Sequence, residues 1–579
     1  MCGLFGQIGR ASLDETAVLA ALHGRGPDDR GGWRSGPAVL LHTRLAIQDL
    51  SPLGHQPMLS ADGDLVMVFN GEIYNQHTLR RELEQLGCRF RSQSDTEVLL
   101  EGFLRWGAAL WPRLNGIFAV ACWEVQAQRL TLVRDGFGVK PLLWRRWRGG
   151  CAFGSELSAF EAAGLASRRA LSGDGLAAYA LWGAVASPHT LLADVESFPP
   201  GHWGQWQQGS PWRLERFADP LPAAPVRFPP PVGETGPMVD PAGAERQLAA
   251  LLRQAVDRQR IGDLPVGLFL SGGLDSGLLA ALLRACHQGP IHSVSVGFRN
   301  LPGAVDESDL AAVTARSLGL DHQHLAIGPE ELDSSFEPFL AAIDQPSIDG
   351  FNTYLVSRAA SGGGMRVAFS GLGADELFGG YGHLAPQALA RGRERLLRVR
   401  EIRCHGLAPD QRLHLQRARD PGLREPLDLR QASLLELGGY LRDTLLRDGD
   451  AVTMHHGLEL RVPFLDPDLA AAALALPQTW HGAEGPKTML RRIAAPLLPS
   501  AVLAAPKRGF NLALAPWLLD RPRFAPGRIA SLLRRQLAPQ GLAVSRSAIW
   551  RSWLLLRASG RWGPYWRWLV LAEWLSAGR

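Results

Sequence analysis

The sequence predicts two domains of different class, a β-rich domain followed by an α/β domain whose sheet is mostly parallel. Three observations support this prediction. Short apolar segments separated by turns run from Pro37 to about Trp206, eight prolines fall between Pro220 and Pro241, and apolar strands then alternate with helical segments. At 579 residues the chain also exceeds what one hydrophobic core supports.

The apolar segments of the first region are short and rich in β-branched and aromatic residues, which is typical of strands. The predicted strands are AVLLHTRLAI (38–47), DLVMVFNGEIY (64–74), IFAVACWEV (117–125), RLTLVRD (129–135) and CAFGSEL (151–157). Apolar residues at helical spacing predict helices from Thr78 to Leu86 and from Thr96 to Trp106.

The proline-rich segment between Pro220 and Pro241 predicts the domain boundary. Proline at this density disfavours both a helix and a central strand, because it lacks the amide hydrogen and fixes the backbone angle φ. We therefore interpret the segment as a semi-rigid linker.

Beyond the linker, strands and helices alternate. The predicted helices are AERQLAALLRQAVDRQR (244–260), GLLAALLRACH (277–287) and DLAAVTARSLG (309–319), and the predicted strands are PVGLFL (265–270), IHSVSVGF (291–298), HQHLAI (322–327) and MRVAFSG (365–371). This alternation indicates βαβ units and a parallel sheet covered on both faces. From about Pro386 the chain is predicted to be mainly helical, and the tryptophans of its last thirty residues are interpreted as packing residues.

Composition argues against several functional classes. Apolar stretches are broken before the ~20 residues that a membrane span needs, and the N-terminus lacks a secretory signal pattern. Six cysteines without a CxxC pair indicate a reduced, cytoplasmic protein without structural zinc. The net charge is only +5, and the Arg-rich segment 390–403 interleaves glutamates at helical spacing, so we expect a solvated helix face and no nucleic-acid partner.

The strongest local motif is LFLSGGLDSG (268–277), a strand that enters a glycine-rich turn and then a helix. Amides in such a turn point into a concavity at a helix N-terminus, where the helix dipole favours a phosphate. The usual P-loop lysine is absent after the turn. Asp275 stands in the turn and is able to hold Mg²⁺ against the phosphates of a nucleotide.

A second glycine-rich loop, VAFSGLGADELFGGY (367–381), leaves a later strand. The carboxyl ends of parallel strands face one crevice, so the two loops are predicted to enclose a single ligand. Asp375 and Glu376 supply metal or substrate contacts there.

Lysine is rare: only Lys140, Lys487 and Lys507 occur among 61 cationic residues. In so Arg-biased a chain, a lysine marks a place that requires a compact ammonium group, or else it survives by chance on the surface. The sequence leaves both interpretations open for each lysine.

Nine short motifs occur in the order of one known family. They are MCGLFG (1–6), RGPDD (25–29), HTRLAIQDLSPLGHQPM (42–58), FNGEIYN (69–75), SDTEV (94–98), SGGLDS (271–276), SGLGADELFGGY (370–381), LELRVPFLD (458–466) and PKRGF (506–510). On these motifs the chain resembles the glutamine-hydrolysing asparagine synthetases, and the resemblance covers nearly all of it.

The resemblance implies an N-terminal Ntn-hydrolase-like αββα sandwich and a C-terminal Rossmann-like parallel sheet with helices on both faces and a helical C-terminal part. It implies a class II glutamine amidotransferase domain over residues 2–210, a Pro-rich linker over 211–243, and an ATP-dependent asparagine synthetase-like domain over 244–579. The linker is longer than the family leads us to expect. A homodimer is compatible with the family.

The resemblance also explains the cysteine at position 2. It implies that Met1 is removed and that Cys2 becomes an N-terminal nucleophile. A thiol of pKa ~8.5 and an α-amine of pKa ~7.7 to 8.0 then share one residue, so the amine is able to take the thiol proton directly or through water.

Other roles in glutamine hydrolysis are carried over by similarity. Arg44 would bind the α-carboxylate of glutamine and Asp95 its α-amine. Asn70 and the amide of Gly71 would form the oxyanion hole, and Glu72 would assist substrate binding.

For the C-terminal domain the resemblance implies adenylate chemistry with ATP and Mg²⁺. A carboxylate would attack the α-phosphate, and ammonia from the first domain would then displace AMP to leave an amide. The implied ATP-binding residues are Leu270, Ser271, Gly272, Gly273, Asp275, Ser276, Val296, Ser370, Gly371 and Lys487, and the implied metal ligands are Asp275 and Asp375. Lys140 and Lys507 also match family positions, without a defined role for Lys140.

One departure bears on the acceptor. Typical members carry glutamate in the second loop, in the order Ser-Gly-Glu-Gly, where this chain has Leu372. Leucine can neither hold an acceptor by its charge nor move a proton. Aspartate is favoured as the acceptor, and another carboxylate in specialised-metabolite or surface-saccharide biosynthesis is the alternative. Substitute carboxylates would be Glu376, Asp344 or Asp349.

A third hypothesis comes from another class of protein, a degenerate relative that only binds or regulates. Intact Cys2, Asn70, Asp95, Asp275 and Lys487 argue against it. Retention of Met1 would argue for it.

Overall fold

The computed structural model of this chain describes residues 2–10, 12–219, 241–299, 307–385, 428–477, 480, 485–506 and 512–577. The predictions made for Met1, for residues 220–240 of the Pro-rich segment, for the Arg-rich segment 390–403 and for Lys507 lie outside the described residues.

The strands of the N-terminal domain are β1 (Cys2–Ile8), β2 (Asp29–Ser35), β3 (Ala38–Arg44), β4 (Met58–Leu59), β5 (Leu65–Ile73), β6 (Gly116–Glu124), β7 (Arg129–Arg134), β8 (Leu143–Trp147), β9 (Gly150–Gly154), β10 (Glu196–Ser197), β11 (His202–Gln207) and β12 (Arg213–Arg216). Its helices are α1 (Glu15–Ala21), α2 (Gln76–Gln85), α3 (Asp95–Trp106), α4 (Leu157–Ala162) and α5 (Gly173–Trp182).

These strands form two six-stranded antiparallel sheets, with the orders β10-β8-β9-β1-β3-β2 and β12-β11-β7-β6-β5-β4. Apolar side chains of both sheets interdigitate in one core, for example Leu4 and Leu40 with Val66 and Ala121. Helices α2 and α3 pack on the outer face of the second sheet, and α1 and α4 cover the first. The layers are therefore helix, sheet, sheet, helix, and the predicted sandwich is confirmed.

The remaining strands are β13 (Val266–Phe269), β14 (His292–Phe298), β15 (Asp321–Ile327), β16 (Val367–Phe369) and β17 (Glu459–Arg461). The remaining helices are α6 (Pro241–Arg258), α7 (Leu274–Cys286), α8 (Ser308–Leu318), α9 (Pro329–Ala342), α10 (Phe351–Gly362), α11 (Ala374–Phe378), α12 (Leu429–Glu436), α13 (Arg447–Met454), α14 (Pro467–Ala475), α15 (Thr488–Ala494), α16 (Ser500–Ala504), α17 (Leu514–Leu519), α18 (Pro526–Leu537), α19 (Arg546–Ser559) and α20 (Gly563–Ala577).

The C-terminal domain contains a five-stranded parallel sheet in the order β15-β14-β13-β16-β17. Strand β13 lies in the centre, with β16 directly beside it, so the loops that follow these two strands leave the same edge of the sheet. The prediction of a parallel α/β domain is confirmed, and the sheet gains a strand that was not predicted, β17.

Helices α12 and α13 are joined by a π-helical segment, Leu437–Leu446. π-Helical turns are rare and are frequent at functional sites. Here Tyr440 donates to Asp349 Oδ2 over 2.8 Å, and Asp443 Oδ1 accepts a hydrogen bond from Ser187 of the N-terminal domain over 2.9 Å.

The segment between the last strand of the N-terminal domain and the first helix of the C-terminal domain is shorter than the predicted linker, 211–243. Strand β12 pairs with β11 inside that range, and α6 begins at Pro241, ahead of the predicted residue 244. Among the described residues, no helix is both long and apolar enough to cross a membrane.

The tryptophans near the C-terminus differ in burial. Trp566, Trp568 and Trp574 are buried, as a packing role predicts, whereas Trp550 is 39% exposed. Trp562 is partly buried and packs against the large core.

Candidate active sites

The first site lies where β1 meets β5. Strand β1 is central in its sheet, paired with β3 on one side and β9 on the other, and it places Cys2 opposite Arg44. The backbone N–H of Cys2 donates to Oδ1 of Asn70 over 3.0 Å. Cys2 is 6% exposed, so the thiol stands at a nearly closed site and not at a frayed chain end.

Asn70 has spare hydrogen-bonding capacity. Its side chain is fully buried, and Nδ2 has no hydrogen-bond partner among the described residues. Burying an amide donor without a partner costs free energy, so such a donor is typical of a site where a ligand supplies the acceptor. The neighbouring Gly71 has a φ of +153°, and a Cβ there would lie 2.0 Å from the carbonyl oxygen of Ile117, so only glycine fits.

Arg44 is held by the loop that follows β3. Its guanidinium donates to the carbonyl oxygens of Gln48, Asp49 and Ser51, the last over 3.0 Å. No carboxylate of the described residues lies within ion-pair distance of Arg44, so its charge is available to an anion. Three backbone carbonyls fix the direction of the guanidinium without neutralising it.

Asp95 and Glu72 are buried carboxylates near this strand. Asp95 begins α3, and its Oδ2 accepts a hydrogen bond from the backbone of Ile73 over 3.0 Å. Burial raises the pKa of Asp95 to about 6. Burial, followed by the charge of Glu459 and of Asp95, also raises the pKa of Glu72 well above its usual value.

The second site is built on the loop between β13 and α7. Gly272 has a φ of +76°, and a Cβ there would lie 2.6 Å from the carbonyl oxygen of Glu307. The turn is closed from within, because Ser271 Oγ lies 3.0 Å from Ser276 Oγ and the Ser271 amide donates to the same oxygen. Ser271 itself is exposed, at the mouth of the turn.

Lys487 joins the two predicted loops. Its ammonium lies 2.5 Å from Asp375 Oδ1 and also contacts Asp275, although 212 residues separate Lys487 from Asp275. Burial lowers the pKa of Lys487, but the two carboxylates outweigh this effect and raise it. The lysine is therefore charged, as a phosphate-binding lysine must be.

The same two carboxylates fit a magnesium ion. Mg²⁺ is held in nucleotide sites by one or two carboxylates together with substrate phosphates, and oxygen donors suit it. Among the described residues, no cluster of three or more potential ligand side chains occurs. Asp275 and Asp375 are the two carboxylates that would hold such an ion together with a phosphate.

The other predicted nucleotide residues border this crevice. Leu270 is buried at the end of β13, and Val296 lies in the neighbouring β14, two residues past the last pair that joins these strands. Ser370 donates its amide to the carbonyl oxygen of Arg461, and Gly371 approaches Asp275 so closely that a Cβ would lie 3.1 Å from it.

Leu372 is partly buried and packs against the first turn of α13. Its Cδ1 lies 3.8 Å from the place where a side chain at Gly449 would begin, and it joins the apolar core of the domain. Of the three substitute carboxylates, Asp344 accepts the amides of Leu157 and Ser158 and so caps α4 of the other domain. The carboxylate of Asp344 is therefore engaged in capping this helix.

Glu376 and Asp349 belong to a polar cluster next to the second loop. Tyr381 donates to Glu376 Oε1 over 2.6 Å, and Tyr440 donates to Asp349 Oδ2 over 2.8 Å. The two tyrosine rings lie edge to face, 6.3 Å apart. Burial raises the pKa of Glu376 to about 7.

Sequence reasoning missed a buried ion network between the domains. Arg25 donates to the carbonyl oxygen of Cys2 over 3.1 Å and lies 2.8 Å from Asp450 Oδ2. Arg25 also lies 2.9 Å from Glu156 Oε1. Lys140 lies 3.1 Å from Asp450 Oδ1. The motif RGPDD and the rarity of lysine were the available signals, but the partner is 310 residues from Lys140.

The two domains define a class of protein, a glutamine amidotransferase domain followed by an amide-forming synthetase domain. A family model described as "Asparagine synthase" matches residues 247–576, and one described as "Glutamine amidotransferase domain" matches residues 1–217. The chain belongs to the asparagine synthase family, which confirms the resemblance drawn from the nine motifs.

Several curated proteins are similar over most of their length. A putative glutamine-hydrolysing asparagine synthetase of Mycobacterium tuberculosis (strain H37Rv) is 30% identical, over 90% of this chain and 88% of that protein. Asparagine synthetase 1 of Bacillus subtilis is 28% identical over the same shares. "Amidase chry2" of Gibberella zeae is 29% identical over 63% of this chain and 55% of that protein.

Proposed function

We propose that this protein is a glutamine-dependent, ATP-consuming amide ligase that converts aspartate to asparagine. It hydrolyses glutamine to glutamate and ammonia, activates a carboxylate as acyl-AMP, and releases the amide, AMP and pyrophosphate. The observation that carries this proposal is the contact between Cys2 and Asn70, whose Oδ1 holds the Cys2 nitrogen while Nδ2 is buried without a partner.

Glutamine hydrolysis begins once Met1 has been removed. The α-amine of Cys2 takes the thiol proton, and Sγ attacks the side-chain amide carbon of glutamine. The oxyanion that forms accepts hydrogen bonds from Nδ2 of Asn70 and the amide of Gly71. Collapse to a thioester expels ammonia, and water then releases glutamate and restores the thiol.

Glutamine is oriented by charges at the ends of three elements. Arg44 binds its α-carboxylate, because the guanidinium is fixed by carbonyl oxygens and keeps its charge. Asp95 binds the α-amine as a carboxylate, and Glu72 assists from β5.

Amide formation takes place at the edge of the parallel sheet. The loop residues 270–273, Ser276, Ser370 and Gly371 line the phosphates of ATP, with Val296 toward the base, and Lys487 neutralises charge as pyrophosphate leaves. Asp275 and Asp375 would hold Mg²⁺, which would supply further positive charge to the phosphates. The carboxylate oxygen attacks the α-phosphorus, pyrophosphate departs, and ammonia then displaces AMP from the acyl carbon.

The proposal includes the organisation of the chain. The chain as far as β12 would form the glutaminase unit and the chain from α6 onward the synthetase unit, joined by the Pro-rich linker. Ammonia would cross between the units through a passage closed to water, because protonation would remove its lone pair. We also propose a cytoplasmic location, small-molecule substrates only, and a homodimer as the assembly to test.

A second candidate keeps this chemistry and changes the acceptor to another carboxylate. The observation in its favour is Leu372, which packs on α13 where typical family members present a glutamate. The glutaminase and adenylation steps are common to both candidates, so only the acceptor separates them.

The test is to incubate the protein with Mg-ATP, glutamine and aspartate and to measure asparagine, glutamate, AMP and pyrophosphate together. Asparagine formed in step with AMP supports the first candidate. Glutamate without asparagine or AMP supports the second and calls for other acids. The control is Cys2→Ala, which should lose glutamine hydrolysis and keep synthesis from added ammonium chloride.

A further inference from the structure

Helices α18, α19 and most of α20 fall in a segment that carries positive charge only. Residues 521–572 contain ten arginines and neither Asp nor Glu. The whole chain has a formal net charge of only +5, so the chain outside this segment is net negative, at −5. An anionic surface attracts the segment and repels the rest of the chain, and this difference favours one orientation of the protein at such a surface.

Most of these arginines have no anionic partner within the protein. Arg521, Arg523 and Arg528 pair with acidic side chains. Arg567 donates to a backbone carbonyl oxygen. The other six are exposed and form no ion pair within the part of the chain that the structure describes: Arg534, Arg535, Arg546, Arg551, Arg557 and Arg561. Their charges are therefore available to an anion outside the protein.

Helix α19 presents two large apolar side chains among these arginines. Trp550 is 39% exposed and Leu554 is 56% exposed. Positions 546, 550, 554 and 557 are four, four and three residues apart, so their side chains lie in one stripe along the helix: Arg546, Trp550, Leu554 and Arg557. The opposite face of α19 packs against the domain through buried residues such as Ile549. The stripe therefore faces solvent.

This stripe combines the groups that bind the surface of an anionic lipid bilayer. Tryptophan prefers the headgroup level, where its ring has apolar surroundings and its N–H stays hydrated. A leucine beside it reaches the apolar boundary of the acyl chains. The arginines meet lipid phosphates through their guanidinium groups, while their stems lie along apolar surface.

Two other occupants fit the stripe less well. A second copy of this chain would present the same arginines, and like charges repel each other. A nucleic acid would satisfy the arginines, and an unpaired base can stack on Trp550. Its phosphates and bases provide no apolar partner for Leu554. Charge and apolar exposure together therefore favour a lipid surface.

We infer that α19 is a docking face for an anionic lipid bilayer, with Trp550 and Leu554 at the headgroup level and the arginines of the helix on lipid phosphates. The other unpaired arginines of the segment add long-range attraction. The contact is peripheral and requires no membrane-spanning helix, and none occurs among the described residues. The inference is independent of the amide-forming chemistry. It gives Trp550 a role that packing does not provide.

The test is co-sedimentation of the full-length protein with vesicles of phosphatidylcholine alone and of an equal mixture with phosphatidylglycerol, at about 0.1 M salt. We expect the mixed vesicles to bind at least about tenfold more tightly, and about 1 M salt to weaken this binding.

Four substitutions test the stripe itself. Trp550→Ala and Leu554→Ala should each weaken binding to the mixed vesicles about tenfold, because each removes apolar surface from the contact. Arg546→Gln and Arg557→Gln should each weaken it about fivefold. Thermal unfolding of all four variants should be unchanged, since these side chains are exposed.

Leu104→Ala and Arg89→Gln are the matched controls in the N-terminal domain. Leu104 is 51% exposed on helix α3, and Arg89 is exposed without an ion pair to any described residue. Both substitutions should leave vesicle binding unchanged.

Three results would overturn the inference. The first is equal binding to the two kinds of vesicle, or α19 variants that behave like the controls. The second is a loss of binding in the arginine variants alone, because Trp550 and Leu554 would then make no contact with the bilayer. The third is tighter binding to a single-stranded DNA oligonucleotide than to the mixed vesicles through the same side chains, which would assign the face to nucleic acid.

Discussion

At the scale of single residues, the most informative atom is Nδ2 of Asn70. The two ends of this side-chain amide behave differently: Oδ1 holds the nitrogen of Cys2, and Nδ2 is buried with no partner among the described residues. A folded protein tolerates such a donor when a reaction intermediate provides the acceptor. This difference supports the catalytic role that we propose for Asn70, which burial alone would not suggest.

We expect Asn70→Ala to lower kcat for glutamine hydrolysis by about 10² to 10³-fold, as the loss of one oxyanion-hole donor does elsewhere. Glutamate release is the measurement. Amide synthesis from added ammonium chloride should be unchanged, because the synthetase site lies on the other domain. Equal loss of both activities would mean that the substitution damages the fold, and unchanged hydrolysis would remove Asn70 from the mechanism.

Asp95 predicts a pH dependence. Burial raises its pKa to about 6, so below this pH the carboxyl becomes protonated and can no longer attract the α-ammonium of glutamine. We expect kcat/KM for glutamine to lose a further factor of about ten per pH unit below pH 6, in addition to the loss that protonation of the Cys2 α-amine (pKa ~7.7 to 8.0) causes at higher pH. Asp95→Asn should be weak at every pH and lose the additional slope below pH 6, while it keeps the titration of the amine. An additional slope below pH 6 that persists in the variant would assign that titration to another group.

At the scale of elements, the loop after β16 forms one side of the proposed nucleotide site. Gly380 lies against the ion pair of Lys487 with Asp375, and a Cβ at Gly380 would fall 1.9 Å from Asp375 Oδ1 and 2.2 Å from Lys487 Cε. Gly382 is two residues away, and a Cβ there would meet nothing within 4 Å. The pair of glycines therefore offers a matched experiment.

We expect Gly380→Ala to displace the ammonium of Lys487 and to raise KM for ATP by about tenfold or more. Gly382→Ala should leave it unchanged. The measurement is AMP formation as a function of ATP concentration, with glutamine hydrolysis as the check on folding. Equal effects of the two alanines would show that loop flexibility, and not the ion pair, sets ATP binding.

The elements also show how far sequence patterns reach. Strands such as β5 and β6 were predicted because long apolar runs left no alternative. Strand β1 was not predicted because its glycines interrupt the apolar pattern. Gly6 makes room for the ring of Phe153, since a Cβ on Gly6 would lie only 2.1 Å from that ring. Strand β17 escaped because Glu459 and Arg461 neutralise each other in the interior, and the sequence reads as polar.

The candidate site divides in the same way. Cys2, Asn70 and Lys487 were assigned because each stands in a short stretch that matches a known family, and their roles stay predictions. Tyr440 was not, because its partner Asp349 is 91 residues away and neither residue belongs to a recognisable motif. Long-range pairs of this kind are set by the packing of helices, which a single sequence does not reveal.

At the scale of the whole molecule, buried ion pairs connect the two domains. Asp450 is buried between Arg25 and Lys140, both from the N-terminal domain. Burial alone would raise the pKa of Asp450, but the two cations outweigh it and lower the pKa. Because Arg25 also donates to the carbonyl oxygen of Cys2, the nucleophile strand is anchored to the synthetase domain.

An exposed ion pair at the same interface provides a comparison. Arg366 of the synthetase domain lies 2.9 Å from Asp28, and both side chains are open to solvent, at 39% and 28% exposure. Ion pairs in water contribute about 0 to 1 kcal/mol, since solvent screens them and ordering them costs entropy. Removing one member of a buried pair costs about 3 to 5 kcal/mol, because the remaining charge stays desolvated without a partner.

We therefore expect Asp450→Asn to lower the free energy of unfolding by about 3 to 5 kcal/mol, and Arg366→Ala to lower it by at most about 1 kcal/mol. Urea unfolding followed by tryptophan fluorescence is the measurement. Asp450→Asn should also slow glutamine hydrolysis, because Arg25 loses the anchor that fixes the Cys2 carbonyl, whereas Arg366→Ala should not. Equal destabilisation by both substitutions would show that the buried network contributes no more to the free energy of unfolding than an exposed ion pair does. A destabilised Asp450→Asn protein with normal hydrolysis would limit its role to holding the domains together.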